Sequence, residues 1–260
     1  MKPIGAETKF SATMEQRTPE WYLARKGKIT ASEVVNLLGN HRESMSAEEL
    51  AEYRAANPKS RVTTKDVPFN DTSFTYLNKK VAELYMNDMA FLEDSDAKQI
   101  NTRALAHGTI YEAQAVKEYE SVTGNRVQQA GFIPLHGFED ICGGSPDGII
   151  EDGIIEVKCP WNSEVHLDYC LLTSPEELKE LRPQYYAQIQ LNILVTGSKF
   201  GDFVSFDPRI TTDLRLKVLR IPKDATYCKL LMERIALANL YIYDRIDAIN
   251  ETQPIITSYE

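Results

Sequence analysis

The 260-residue chain carries 43% hydrophobic and 26% charged residues and no apolar run long enough to cross a bilayer, a balance that fits a globular domain with ample core. Its net charge of -9 counts against a protein held on nucleic acid chiefly by a basic surface, though not against an enzyme whose site contributes carboxylates. The four cysteines (Cys142, Cys159, Cys170, Cys228) lack zinc-like or cluster-like spacing, and "MKPIGAETKF" lacks the apolar segment of a secretory signal, so reduced thiols and a cytoplasmic location are expected.

Thr18 to Asn40 reads as a helix, a break at Gly27 and a second helix capped near Thr30 or Ser32. His41 to Asn70 is polar. It reads as a peripheral insertion of about residues 41–70, with a short exposed helix in "SAEELAEYRAANP" and loop after it. "TSFTYLNKKVAELYMN" predicts an amphipathic helix with Phe74, Leu77, Val81, Leu84 and Tyr85 on one stripe. An acidic loop follows over 87–99. "TRALAHGTIYEAQAVKEYESVTG" is a further helix, stopped by Gly124.

"RVQQAGFIPL", "ICGGSPDGII" and "GIIEVKCP" predict strands. "RPQYYAQIQLNILVTG" predicts a helix with Pro183 at its start and Gly197 past its end. A strand pair, "FGDFVSFDP" and "LRLKVLRIP", and a long closing helix complete the chain. No internal repeat appears. The order predicts one α+β domain over 1–260, a mixed central sheet flanked by helices.

The stretch "GGSPDGIIEDGIIEVKCPW" concentrates the chemistry. Asp152-Gly153 signals a turn that brings Asp147 opposite the Glu156–Lys158 region. Glu156 and Lys158 are two residues apart and share a strand face, while Ile155 and Val157 point into the core. Two carboxylates, with the Val157 carbonyl beside them, suit magnesium. Lys158 can orient a metal-bound water and offset the carboxylates, which is equipment for hydrolysing a phosphodiester. The small residues of "GGSPDG" would let a polymer backbone approach. A surface hairpin with a cross-strand ion pair is the plain alternative, and a bare match to this spacing would favour it.

Arg25, Lys26 and Lys28 precede the expected helix start at Thr30 to Ser32, which reads either as a solvated basic turn or as a phosphate site. Trp21 reads as a core aromatic. One histidine on a helix, His107, is left out of the ligand set.

These residues resemble a known family. "SPDG" with "EVK" is similar to the PD-(D/E)xK nuclease motif, on a restriction-endonuclease-like core. The ordered blocks "ARKGKITASEV", "ALAHGTIYE", "CGGSPDG", "IEVKCPW", "YYAQIQ" and "FDPR" resemble the lambda-exonuclease or YqaJ-type viral recombinases from Trp21 to Arg209. The resemblance implies a 5′-to-3′ exonuclease on linear double-stranded DNA, leaving a 3′ overhang for a single-strand annealing protein of phage-type recombination. It implies Asp147, Glu156 and the Val157 carbonyl as metal ligands and Lys158 as the catalytic lysine. Glu112 would hold a second metal or its water, and Gln188 would support the active site. Arg25, Ser32 and Ser145 would hold the 5′-terminal phosphate. The implied cofactor is Mg2+, two ions per site, with Mn2+ able to substitute. The implied assembly is a homotrimeric ring on DNA ends, away from membranes and in the host cytoplasm if phage-encoded.

Taken alone, Glu112 reads as a solvated helix charge and Gln188 as a part-buried, hydrogen-bonded amide. A structure-selective or restriction-like endonuclease would use the same core, and a non-catalytic DNA-end-binding scaffold would bind ends without hydrolysis.

Overall fold

The computed structural model describes residues 14–39, 42–99, 103–211 and 213–252. The N-terminal stretch read above and His41 lie outside the described residues. Helix α1 (Pro19–Arg25) begins where Thr18 Oγ1 accepts from the Trp21 N–H at 3.3 Å, and it ends at a left-handed Gly27, φ 71°. The expected second helix is not formed. Ile29–Thr30 is strand β1, which pairs in parallel with Cys142–Gly144, and only a 3₁₀ turn, Val34–Leu37, follows. Ile29, Val34 and Leu37 are all fully buried. A stretch rich in β-branched residues reaches that burial more readily as strand and turn than as helix.

Two expected loops are also ordered. Strand β2 (Arg42–Ser44) and strand β3 (Thr64–Asp66) pair antiparallel around helix α2 (Ala47–Ala56). Helix α2 has a Ser46/Glu49 capping box and no buried residue, so it stands on the periphery as expected. Helix α3 (Asp71–Tyr85) buries Tyr76, Leu77 and Val81, but also Ser73, Lys80 and Glu83, while Leu84 and Tyr85 are exposed. The acidic stretch expected as loop is helix α4 (Asp88–Gln99). Asn87 Oδ1 caps it through the Ala90 N–H at 2.9 Å and Phe91 anchors it in the interior. Helix α5 (Arg103–Thr123) ends at Gly124, φ 75°, as predicted.

The β region is β4 (Ile133–Pro134), β5 (Cys142–Gly144), β6 (Gly148–Ile150) and β7 (Gly153–Lys158). Three helices then cross over: α6 (Ser163–Cys170), α7 (Pro175–Leu181) and α8 (Pro183–Thr196). The chain closes with β8 (Phe200–Phe206), β9 (Leu216–Pro222) and α9 (Ala225–Glu251). The central sheet has the order β6-β7-β8-β9, with β7 and β8 parallel and the outer pairs antiparallel. A parallel pair requires a long crossover, which α6–α8 supply. The fold is α+β, with a mixed sheet between helices.

Alternate residues of β7 serve the two faces. Ile154 packs with Ile189, Ile193 and Phe203 beneath α8, and Ile155 and Val157 pack with Ala115 and Tyr119 of α5. Helix α8 is enclosed nearly all round: Ile189, Leu191 and Ile193 are fully buried, and so are the amides Gln190 and Asn192, which are placed among polar partners. A second core joins β1, β5, α3 and α9 through Ile29, Cys142, Leu77, Leu231 and Ile235. The turn between β6 and β7 lies one residue earlier than expected. Asp152 takes the left-handed conformation, φ 62°, while Gly153 is already in the strand, where a Cβ would lie 2.6 Å from the Phe200 ring.

Candidate active site

Strand β7 continues past the end of β6, and this sets the site's geometry. Gly148 is the first β6 residue to pair, opposite Ile155, so Asp147 lies beside an edge of β7 that β6 no longer covers. Asp147 Oδ2 accepts the Val157 N–H there at 2.6 Å. The N–H and C=O of one strand residue leave on the same side, so the Val157 carbonyl faces that edge too.

Glu156 and Lys158 project from the other face of β7, against α8. Lys158 Nζ donates to Glu156 Oε1 at 2.6 Å and lies 3.5 Å from Gln188 Oε1 and 4.7 Å from the Tyr185 ring centre. Asn192, one turn beyond Gln188, donates to Glu156 Oε2 at 3.2 Å. The sequence reading missed Asn192 and Tyr185. Their spacing from Gln188 puts them on one helix face, but nothing local says that this face meets β7.

Burial raises the Asp147 pKa well above the ordinary carboxylate range. Glu156 and Glu112 add to this, against the opposing pull of Lys158. Burial raises Glu156 as well, again against Lys158. Burial alone would lower Lys158, but Glu156 and Asp147 outweigh it and hold the ammonium above its usual range.

The site forms part of the floor of a cleft of about 1400 Å³ whose walls include Arg25, Ser32, Glu112, Ser145, Trp161 and Gln188. All the predicted site residues therefore share one concavity. Arg25 stacks at 4.0 Å over Trp21, whose indole N–H donates to Ser145 Oγ at 3.0 Å. Trp21 is buried, as expected. Burial lowers the Arg25 pKa, with Glu33 pulling the other way. Ser32 is exposed and its hydroxyl lies 3.2 Å from that of Thr30. Because β1 ends at Thr30, no helix N-terminus opens at Thr30 to Ser32, and side chains alone must recognise any phosphate there.

Beneath this wall, Lys80 pairs with Glu33 at 2.9 Å and with Glu83 at 3.3 Å. Glu83 in turn accepts the Gly27 N–H at 3.0 Å. This buried network braces the turn that carries Arg25. Glu112 is drawn into an ion pair with Arg17 at the cleft wall. Among the described residues, no three Asp, Glu, His or Cys side chains form a metal-holding group.

The glycines beside Asp147 serve the interior, contrary to expectation. A Cβ on Gly143 would lie 2.4 Å from Phe132, one on Gly144 2.3 Å from Asn192 Oδ1, and one on Gly148 2.2 Å from Val127. The cleft is also not basic: the described lining has five Lys or Arg against six Asp or Glu. Such a wall repels a phosphate backbone unless cations are added, and the buried carboxylate pair is where a hard divalent cation would be compensated. Asp147, Glu156 and the Val157 carbonyl thus fit a magnesium-type ion by their chemistry.

The structure is similar to an alkaline exonuclease, LHK-Exo, from Laribacter hongkongensis. The TM-score is 0.65 at 24% identity, covering 90% of this chain and 97% of that one. It is also similar to a phage-related exonuclease from Haemophilus somnus 129PT, with TM-score 0.58, 16% identity and 85% and 96% coverage. No curated protein sequence matches the chain. Likeness at these identities shows the shared fold. The family follows from the sequence itself: the model of the YqaJ-like viral recombinase domain matches residues 20–199, from α1 to the end of the crossover, and the chain belongs to that family.

Proposed function

We propose that this chain is a metal-dependent deoxyribonuclease of phage-type recombination, built on a PD-(D/E)xK core and degrading one strand of linear duplex DNA from its 5′ end. The observation that carries this reading is the convergence of Asp147, Glu156 and Lys158 at one end of β7, in the cleft that also holds Arg25. The family and the similarity to two exonucleases of the same fold support it.

Asp147, Glu156 and the Val157 carbonyl would hold Mg2+, or Mn2+ in its place. When bound, the ion lowers the pKa of a water and offsets charge on the phosphate. Lys158 keeps its proton on Nζ and directs an N–H at the attacking water or the phosphate oxygen, while Gln188 limits where that ammonium can sit. Asn192 fixes the Glu156 carboxylate. Arg25, with Ser32 and Ser145, would receive a terminal 5′ phosphate. Glu112 would help hold a second ion through the carboxylate oxygen that does not pair with Arg17.

The resulting 3′ overhang would pass to a single-strand annealing protein. A trimeric ring around DNA would retain the substrate without a basic surface. The described chain would act as one nuclease unit with Arg42–Asp66 as a peripheral excursion, working in the cytoplasm of a host if phage-encoded.

The test uses linear duplex DNA with and without a 5′ phosphate, beside a covalently closed circle, in magnesium, with Lys158→Ala in parallel. Phosphate-stimulated loss of nucleotides from linear DNA alone, absent in the variant, is the expected result. Cutting of the circle would replace it with an endonuclease. End binding without hydrolysis would leave a scaffold.

A further inference from the structure

Trp161 is 45% exposed, and among the described aromatic residues lining the cleft it alone is exposed. A single exposed aromatic is ordinarily unremarked surface. This one is held at its ring by a buried histidine and at its backbone by an arginine anchored on a buried aspartate. The His107 ring meets the indole edge-on, with centres 5.4 Å apart at 85°, and is itself 5% exposed and packed on Tyr111 at 4.6 Å. Burial, with Arg209 nearby, keeps His107 below the usual imidazole range, so the support under the indole is an uncharged ring at neutral pH.

The backbone is fixed independently. Arg209 Nη2 donates to the Trp161 carbonyl at 2.8 Å, and the fully buried Asp207 accepts from Arg209 Nε at 2.8 Å and Nη2 at 2.9 Å. Despite its burial, Asp207 is held down to about 2 by hydrogen bonds from Arg209 and Ser163. It is therefore a permanent anchor. "FDPR" thus fastens the backbone of "CPW", and the His107 ring bounds the indole on one side, which lowers the ordering cost of binding.

Trp161 is three residues beyond Lys158, so their backbones are at most about 11 Å apart. At roughly 3.4 Å per stacked base, that is about three nucleotides. We infer that Trp161 is a stacking platform for an unpaired base of the processed strand, a few nucleotides from the phosphate at Lys158. Base–aromatic stacking tolerates any sequence, which suits a cleft whose charge alone does not attract DNA. The assignment rests on the nuclease reading of the site and adds a specificity-determining residue to it.

The experiment measures binding of a duplex with a single-stranded tail, in magnesium and in a Lys158→Ala background so that no hydrolysis occurs, to protein with the wild-type Trp161, to Trp161→Leu and to Trp161→Phe. Trp161→Leu should weaken binding about tenfold and Trp161→Phe less than about threefold, by the size of single stacking contacts. Tail binding should quench indole emission in the protein with Trp161 but not in Trp161→Phe, where the buried Trp21 is the remaining tryptophan. Equal affinity of the protein with Trp161 and Trp161→Leu, or no quenching in the former, would overturn the assignment. Hydrolysis in magnesium is scored separately, with Lys158 intact. Its absence from wild type would sink the nuclease reading, whereas normal hydrolysis with unchanged tail binding in Trp161→Leu would sink only the platform.

Discussion

Asn192 on α8 donates its amide N–H to Glu156 Oε2 on β7 at 3.2 Å, while its own Oδ1 is buried with no hydrogen-bond partner among the described residues. One polar side chain of the crossover helix thereby sets the orientation of a carboxylate on the central sheet. Asn192→Leu keeps the volume and removes the donor. Magnesium affinity should fall about 10–100-fold, the usual effect of losing a hydrogen bond behind a ligand. Calorimetric titration in the Lys158→Ala background tests this, and an unchanged affinity would free Asn192 of the role.

The same amide explains why Gly144 has no side chain. A Cβ there would lie 2.3 Å from Asn192 Oδ1 and 3.1 Å from Val195 Cγ2. Gly144→Ala should destabilise by about 1–3 kcal/mol, as overpacking does. In an Asn192→Ala background the penalty should largely disappear. Urea denaturation of the four proteins of the cycle measures it, and simple additivity would exclude the contact.

Removing divalent cations should make stability fall with rising pH. Asp147 and Glu156 have folded pKa values raised by burial, so the fold binds protons more tightly than the unfolded chain there. Their contribution is complete below the unfolded values, about 4, and is lost as pH climbs through the raised folded ones. Melting curves in EDTA from pH 5 to 8 should decline more steeply for wild type than for Asp147→Asn, and magnesium should recover wild type most at pH 8. Parallel declines for the two proteins would refute the assignment.

Glu83→Ala removes one acceptor of the buried Lys80 and the acceptor of the Gly27 N–H. Breaking a buried pair in this way costs roughly 3–5 kcal/mol, at the lower end here because Glu33 still holds Lys80. The turn bearing Arg25 should loosen too, so the ratio of rates on phosphorylated and unphosphorylated 5′ ends should drop. A destabilised protein that kept its full preference would separate the network from phosphate recognition.

The long elements were readable because their signals are local. Gly124 and Gly197 end α5 and α8 in left-handed conformations, and Pro183 opens α8. The apolar alternation of β8 and β9 specified a strand pair. Ile29–Thr30 and the acidic stretch of α4 were misread for the opposite reason. One is decided by a strand partner more than a hundred residues away, the other by the burial of Phe91.

For the site, the two-residue periodicity of a strand already put Glu156 and Lys158 on one face, and the turn signal already brought Asp147 to that end of β7. What tertiary structure alone decided is which helix lies over that face. The crossover lays α8 against β7, so Asn192 and Tyr185 surround the pair, Glu112 turns to Arg17, and "FDPR" locks Trp161 at the cleft. Periodicity is a property of neighbouring residues, whereas these contacts join residues 27 to 95 positions apart, and only the packing of the core selects them.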